Sequence, residues 1–414
     1  MLLPRPTLQP ALLRTAMAGF FLLGGLMALL GALLPIWIFY LHLDLATAGS
    51  YFFVFNLGTF TASMVSRALL VRLGLRRLLA AACALVAASL LSATLLFFPI
   101  ALIVPLILLG FGAGLLTTGV SWLMAETMSS ERAATSLSLA GLFFGLGAAG
   151  LSLLVWSAVH SLAPRGLLLA IAVFPIALAI QWARQRPLAG PLFQTVPSRL
   201  NWQAAGSPIG WLLSLALFFQ SGAEWAAGGW LALYWIRKLG VSLDTALLGL
   251  STYWIVLTLA RLLSPRLAWR ARPIRLLAAS TAAALFGCLF LVSAAGPGGA
   301  LVGVLLLAAG LGALYPVTLG AIGERFPHYH PGFFNGVLSL SLIGGMLAPW
   351  LVGHLAHAWV IQWAVWVPAL GVVMVFLLQL AIRLEARLTA GFPAPPPPAG
   401  PFPPQRRDPA PQSR

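Results

Sequence analysis

The chain has 414 residues, 60% hydrophobic and only 8% charged, with a formal net charge of +16. A water-soluble domain of this size cannot cover so much apolar surface. Apolar runs of about 20 residues recur from end to end and the mean hydropathy is +0.96, which identifies a polytopic helical membrane protein.

The basic excess does not read as a nucleic-acid surface, and no nucleic-acid partner is expected. Of the 24 basic residues only Lys238 is a lysine, and the arginines cluster in short segments between apolar runs. Cys83 and Cys288 both fall inside apolar runs, where they read as small packing residues; neither a disulfide nor a metal site is supported. No phosphate loop, nucleophile elbow or metalloprotease string occurs, so an ATP-driven pump and a membrane hydrolase are set aside, and no cofactor is expected.

Arg5 and Arg14 precede an apolar run over 16–40 that is too long for the core of a signal peptide, so it is read as span one. Eleven further spans follow at 45–66, 77–97, 100–125, 133–159, 165–183, 209–236, 244–264, 273–294, 298–322, 332–355 and 358–382. The expected organisation is a cytoplasmic segment 1–15, a six-helix bundle 16–183, a cytoplasmic linker 184–208, a second six-helix bundle 209–382 and a tail 383–414. The tail is rich in proline and polar residues and is expected to be extended and disordered.

An even span count puts both termini on one side. All basic residues except Arg165, Arg237 and Lys238 then fall on that side, Arg261 among them, and the positive-inside rule makes it cytoplasmic. The two halves repeat. A shift of 198 residues (275 − 77) lays Arg77-Leu-Leu-Ala-Ala on Arg275-Leu-Leu-Ala-Ala. The same shift lays Arg72 on Arg270, and Gly112, Gly114 and Glu126 on Gly310, Gly312 and Glu324. Parallel six-span halves joined by a linker place a substrate site between the halves, near the membrane midplane.

Span seven carries the sharpest feature. Trp211 to Ile236 is almost wholly apolar but contains Glu224 near its middle. A carboxylate at that depth must face a cavity, find a partner or hold a proton. The other acids are Asp44, Glu126, Glu131, Asp244, Glu324, Glu385 and Asp408, all in loops, at span ends or in the tail. Glu224 is therefore the candidate proton carrier, against a structural alternative in which it is a protonated acid bonded to a neighbouring helix. Gln220 lies one turn before it and Gly228 one turn after. Trp225 and Trp230 offer indole faces suited to a sugar ring, with lipid-facing packing as the alternative.

Twelve spans in two repeated halves, with arginine-rich loops after spans two and eight, resemble the major facilitator superfamily. The segment Arg67-Ala-Leu-Leu-Val-Arg-Leu-Gly-Leu-Arg-Arg is similar to its loop signature in Arg72, Gly74 and Arg76, but has Val71 where the superfamily usually has Asp. Gly222-Ala-Glu-Trp-Ala-Ala-Gly-Gly-Trp, Gly310-Leu-Gly-Ala-Leu-Tyr-Pro and Gly344-Gly-Met-Leu-Ala-Pro-Trp resemble the fucose–galactose–glucose/proton symporter group. Span one lacks the acid found in fucose permease, and span four carries Thr117 and Thr118 near its other acid position, so that proton site does not transfer.

The resemblance implies that spans one, four, seven and ten line a cavity. Thr117, Thr118 and Trp122 of span four and Tyr315 and Thr318 of span ten then join Gln220, Trp225 and Trp230 as substrate-binding candidates. Arg72, Gly74, Arg76, Arg77, Arg270 and Arg275 are candidates for a gate, by bonding the last carbonyls of neighbouring helices or pairing with loop acids; topology and lipid contact alone are the alternative. The expectation is a monomeric, multi-pass transporter of a bacterial-type inner membrane that moves a small neutral solute, a sugar, with protons. A proton-coupled efflux antiporter for amphipathic compounds and a non-transporting receptor or assembly factor are the alternatives.

Overall fold

The computed structural model describes residues 10–95, 98–127, 130–185, 208–270, 273–325 and 331–389. Most of the expected linker and nearly all of the proline-rich tail lie outside these residues. Within them the regular elements are helices: α1 (Pro10–Leu41), α2 (Leu45–Ala93), α3 (Ile103–Thr127), α4 (Ser130–Ala158), α5 (Pro164–Arg184), α6 (Pro208–Leu239), α7 (Leu243–Arg270), α8 (Pro273–Ser293), α9 (Pro297–Arg325), α10 (Pro331–Ala358) and α11 (Trp363–Thr389). A 3₁₀ turn, Pro99–Leu102, leads into α3.

Helices are what a bilayer imposes, because each backbone N–H and C=O must be satisfied within the segment. Six of them start on proline, whose missing N–H would be unpaired at that position anyway. α2 starts instead on Asp44, whose carboxylate accepts from the backbone N–H of Thr47 at 2.7 Å and from its hydroxyl at 3.0 Å. These bonds, aided by the charge of His357, hold the Asp44 carboxyl below its ordinary value of 3.8.

The twelve expected spans appear as eleven helices because α2 contains two of them. Gly74 interrupts α2 with φ 74° and ψ 158°, a conformation open essentially to glycine alone. Residues 55–62 of α2 climb α3 in parallel, with Gly110 against Phe55 and Gly114 against Thr59. Beyond Gly74 the order inverts, with Gly119 against Leu79 and Gly112 against Ala82 and Val86. The chain thus reverses at Gly74, and α2 crosses twice. Among the described residues, nine other stretches are long and apolar enough to cross a membrane. The remaining crossing is α6, whose hydropathy is lowered by Gln220, Glu224 and its tryptophans.

The repeat extends to packing. A β-carbon on Gly112 would strike the Ala82 carbonyl, and one on Gly310 the Ser280 carbonyl. A β-carbon on Gly114 would strike Thr59, and one on Gly312 would strike Leu257. Each pair of contacts is related by the same 198-residue shift, so both halves use the same close helix approaches.

The halves meet along α1 with α6, α2 with α10 and α4 with α7. Gly31 sits on the backbone of Gly228 and Gly49 on that of Gly353. Asn56 Nδ2 reaches the Gly345 carbonyl at 3.4 Å. Beyond the end of α4, His160 Nε2 lies 2.8 Å from Asp244 at the start of α7. The Gly49–Gly353 and His160–Asp244 contacts close the arginine-poor end of the bundle.

Candidate functional site

Glu224 lies mid-way along α6 and is 5% exposed. It has found a partner: Arg261 Nη2 donates to Glu224 Oε2 at 2.6 Å. This corrects the placement of Arg261 on the cytoplasmic side. The reason is that α7 continues past Ser264 to Arg270, so Arg261 is an interior residue of the helix and its side chain turns into the bundle. A charge-assisted bond of this kind in a low-dielectric interior is worth far more than at a surface, and removing either partner leaves a buried charge at a cost of about 3–5 kcal/mol.

Three aromatic and amide groups frame the pair. The Arg261 guanidinium lies 4.7 Å over the ring centre of Tyr315, on α9. Tyr253 of α7 is fully buried, and its hydroxyl donates to the Glu224 carbonyl at 3.4 Å. Gln220, one turn before Glu224, donates from Nε2 to the Leu311 carbonyl of α9 at 3.1 Å. Two polar atoms here are buried without a hydrogen-bond partner: Arg261 Nε and Gln220 Oε1. Unpaired buried donors and acceptors are costly, so both atoms stand out beside the ion pair.

The structure thus groups Glu224, Gln220 and Tyr315 of the expected residues and adds Arg261 and Tyr253. Trp225 is half-buried, packing on Gly345 of α10 and 5.9 Å from the ring of Phe55. Trp230 is fully buried; its Nε1 donates to the Pro349 carbonyl at 3.0 Å and its ring stacks near Phe52. Both indoles expected to hold a sugar thus serve here as packing between helices. Thr318 is also turned away, donating to the Leu314 carbonyl and accepting from Gln379 Nε2 of α11 at 3.1 Å.

On α3, Thr117 and Thr118 return their hydroxyls to the carbonyls of Ala113 and Gly114. Thr117 is exposed, while Trp122 is half-buried against the core. Of the expected gating residues, Arg76 donates to the carbonyls of Ala183 and Gln185 at the end of α5, at 3.3 and 3.1 Å. Arg72, Arg77 and Arg275 are exposed. The side chain of Arg270 lies outside the described residues, as do those of Glu126, Glu131 and Glu324.

A family model described as Major Facilitator Superfamily matches residues 15–341 and again 213–413. No curated protein sequence matches the chain. Among solved structures, a D-xylose–proton symporter is similar with a TM-score of 0.75 at 15% identity, over 89% of this chain and 96% of that one. A nucleoside transporter gives 0.72 at 14% identity, over 90% and 98%. The fucose–proton symporter of E. coli gives 0.62 at 20% identity, over 89% and 98%. At these identities the likeness is one of fold.

Proposed function

The chain belongs to the major facilitator superfamily, and from that premise we propose that it is a proton symporter whose coupling group is the Glu224–Arg261 pair. It is a multi-pass membrane transporter and not an enzyme. The observation that carries the proposal is the pair itself: the chain's one mid-span acid is bonded at 2.6 Å to an arginine from the interior of α7. A proton on Glu224 cancels the attraction and releases Arg261. α6 and α7 then lose the ion pair that joins them, and the guanidinium becomes available to a solute.

The arginine distribution supports cytoplasmic termini in a bacterial-type inner membrane. In that orientation the contacts at Gly49–Gly353 and His160–Asp244 seal the outer face, and the conformation is one closed to the outside. Alternating access then consists of parting these contacts while the halves rock about the midplane. The resemblance of the motifs of α6, α9 and α10 to the fucose–galactose–glucose/proton symporter group favours a sugar-like solute.

In proteoliposomes under an inward proton gradient, Glu224→Gln should abolish uphill accumulation of a transported solute while equilibrium exchange survives. Normal pH-driven accumulation by this variant would remove the coupling role.

A further inference from the structure

We infer that the transported solute carries a single carboxylate, which Arg261 grips along one edge of its guanidinium once a proton on Glu224 has freed that edge. The inference rests on the proton-coupling reading and adds to it the chemical class of the solute.

The guanidinium is a fork whose side edge presents Nε–H and one Nη–H in parallel, the spacing of two carboxylate oxygens. Glu224 fills only half of it. One of its oxygens takes Nη2, and the neighbouring Nε is enclosed with no partner at all. The Tyr315 ring lies under Cζ of the fork, 4.7 Å from ring centre to carbon, and accepts no hydrogen bond from Nε.

Charge decides what belongs there. In the empty site Glu224 and Arg261 cancel. When Glu224 takes up a proton, forming its carboxyl O–H, Arg261 is left as an unbalanced cation at mid-span. The other seven acids of the chain stand in loops, at helix ends or in the tail, so none can replace Glu224. A neutral solute leaves the cation unbalanced. A dianion such as a phosphate monoester overshoots by one charge. A monocarboxylate restores neutrality, so the empty and the loaded sites both cross the membrane uncharged.

The displaced carboxyl is provided for as well. Gln220 Oε1 is a buried acceptor without a donor, and its amide is fixed by the bond from Nε2 to the Leu311 carbonyl. At i and i+4 the β-carbons of Gln220 and Glu224 are about 5–6 Å apart, within reach of a bond from the protonated carboxyl. Ionised Glu224 has Arg261, and neutral Glu224 has Gln220.

The test uses the full chain. Thermal unfolding in detergent is followed with acetate, phenylacetate and glucuronate, each against its neutral amide and against glucose, at acidic and neutral pH. The expected result is a rise in Tm with a carboxylate, larger at acidic pH, and its loss with the amide. In Glu224→Gln the shift should appear at both pH values, because Arg261 is permanently free. If no carboxylate stabilises that variant, the inference fails.

Proton uptake into wild-type proteoliposomes, read by an entrapped dye, does not depend on any variant folding. With glucuronate, which does not cross a bilayer as the free acid, it should exceed the signal of protein-free liposomes and be insensitive to an imposed membrane voltage. Glu224-dependent proton uptake driven by glucose and not by the acids would overturn the carboxylate while leaving the symport reading intact. Carboxylate flux without proton movement, with binding equal at both pH values, would overturn the symport reading instead.

Discussion

The energetic coupling of Glu224 and Arg261 can be measured by removing each charge separately and then both together. The pair is largely withdrawn from water, with side chains 6% and 20% exposed, and its bond is 2.6 Å long. Charge centres about 4 Å apart in an effective dielectric of about 20 attract by roughly 4 kcal/mol. Glu224→Gln and Arg261→Gln should each cost about 3–5 kcal/mol, because each strands the opposite charge. The double variant strands nothing and leaves two amides able to bond one another. It should therefore be more stable than the sum of the singles implies, by about 2–4 kcal/mol. Unfolding in detergent, followed by tryptophan fluorescence, reads this out at on the order of 2 °C per kcal/mol. Losses that add to within about 0.5 kcal/mol would mean that the two groups are neighbours without being partners, and the proposed release mechanism would collapse.

Other perturbations test the scaffold. Gly74→Ala should destabilise by about 1–3 kcal/mol purely through backbone strain, since no atom lies within 4 Å of the added carbon; an unchanged Tm would refute the reversal at this residue. Asp44→Ala should cost about 1 kcal/mol at neutral pH, and Asp44→Asn much less. Because the folded carboxyl titrates below 3.8, its contribution is present above that pH and fades as the pH falls through the lower folded value; the difference between wild type and Asp44→Ala should vanish there. Gly49→Val places a β-carbon 2.9 Å from the Trp350 carbonyl and 3.0 Å from Gly353 Cα. It should hold the arginine-poor end open, so that a cysteine introduced at the buried Phe52 becomes reactive in a background lacking Cys83 and Cys288; equal labelling with and without the valine would count against this seam as the closure.

Much of this architecture is legible in the sequence, and the failures have identifiable causes. Hydropathy finds the crossings, and the 198-residue shift finds the repeat, because both are properties of many residues at once. Arg261 is misplaced because it stands shortly before Arg266 and Arg270, where an arginine looks like one more topological charge. The signal that locates it is register. α6 and α7 are joined by the short turn at Gly240, and Glu224 and Arg261 stand at similar distances on either side of it, hence at similar depth. The faces of α6 are harder to read. It is apolar nearly all round, so periodicity cannot tell which of its tryptophans turns inward. Trp230 is committed by the Pro349 carbonyl and Thr318 by Gln379, partners more than 50 residues away that no local pattern announces.

The seam between the halves is built to part. At Gly31 on Gly228 and Gly49 on Gly353, backbone lies on backbone with no side chain between them. Such contacts hold by dispersion alone, at about 0.1–0.2 kcal/mol for each pair of atoms. There are no interlocked rotamers to reset when they open, and none to find again when they close. At these two points the halves meet like smooth plates, and the catches lie elsewhere, in the Asn56–Gly345 and His160–Asp244 bonds and the Phe52–Trp230 ring contact. A machine that must repeat this movement in every cycle gains from confining what it has to unfasten to a few side chains.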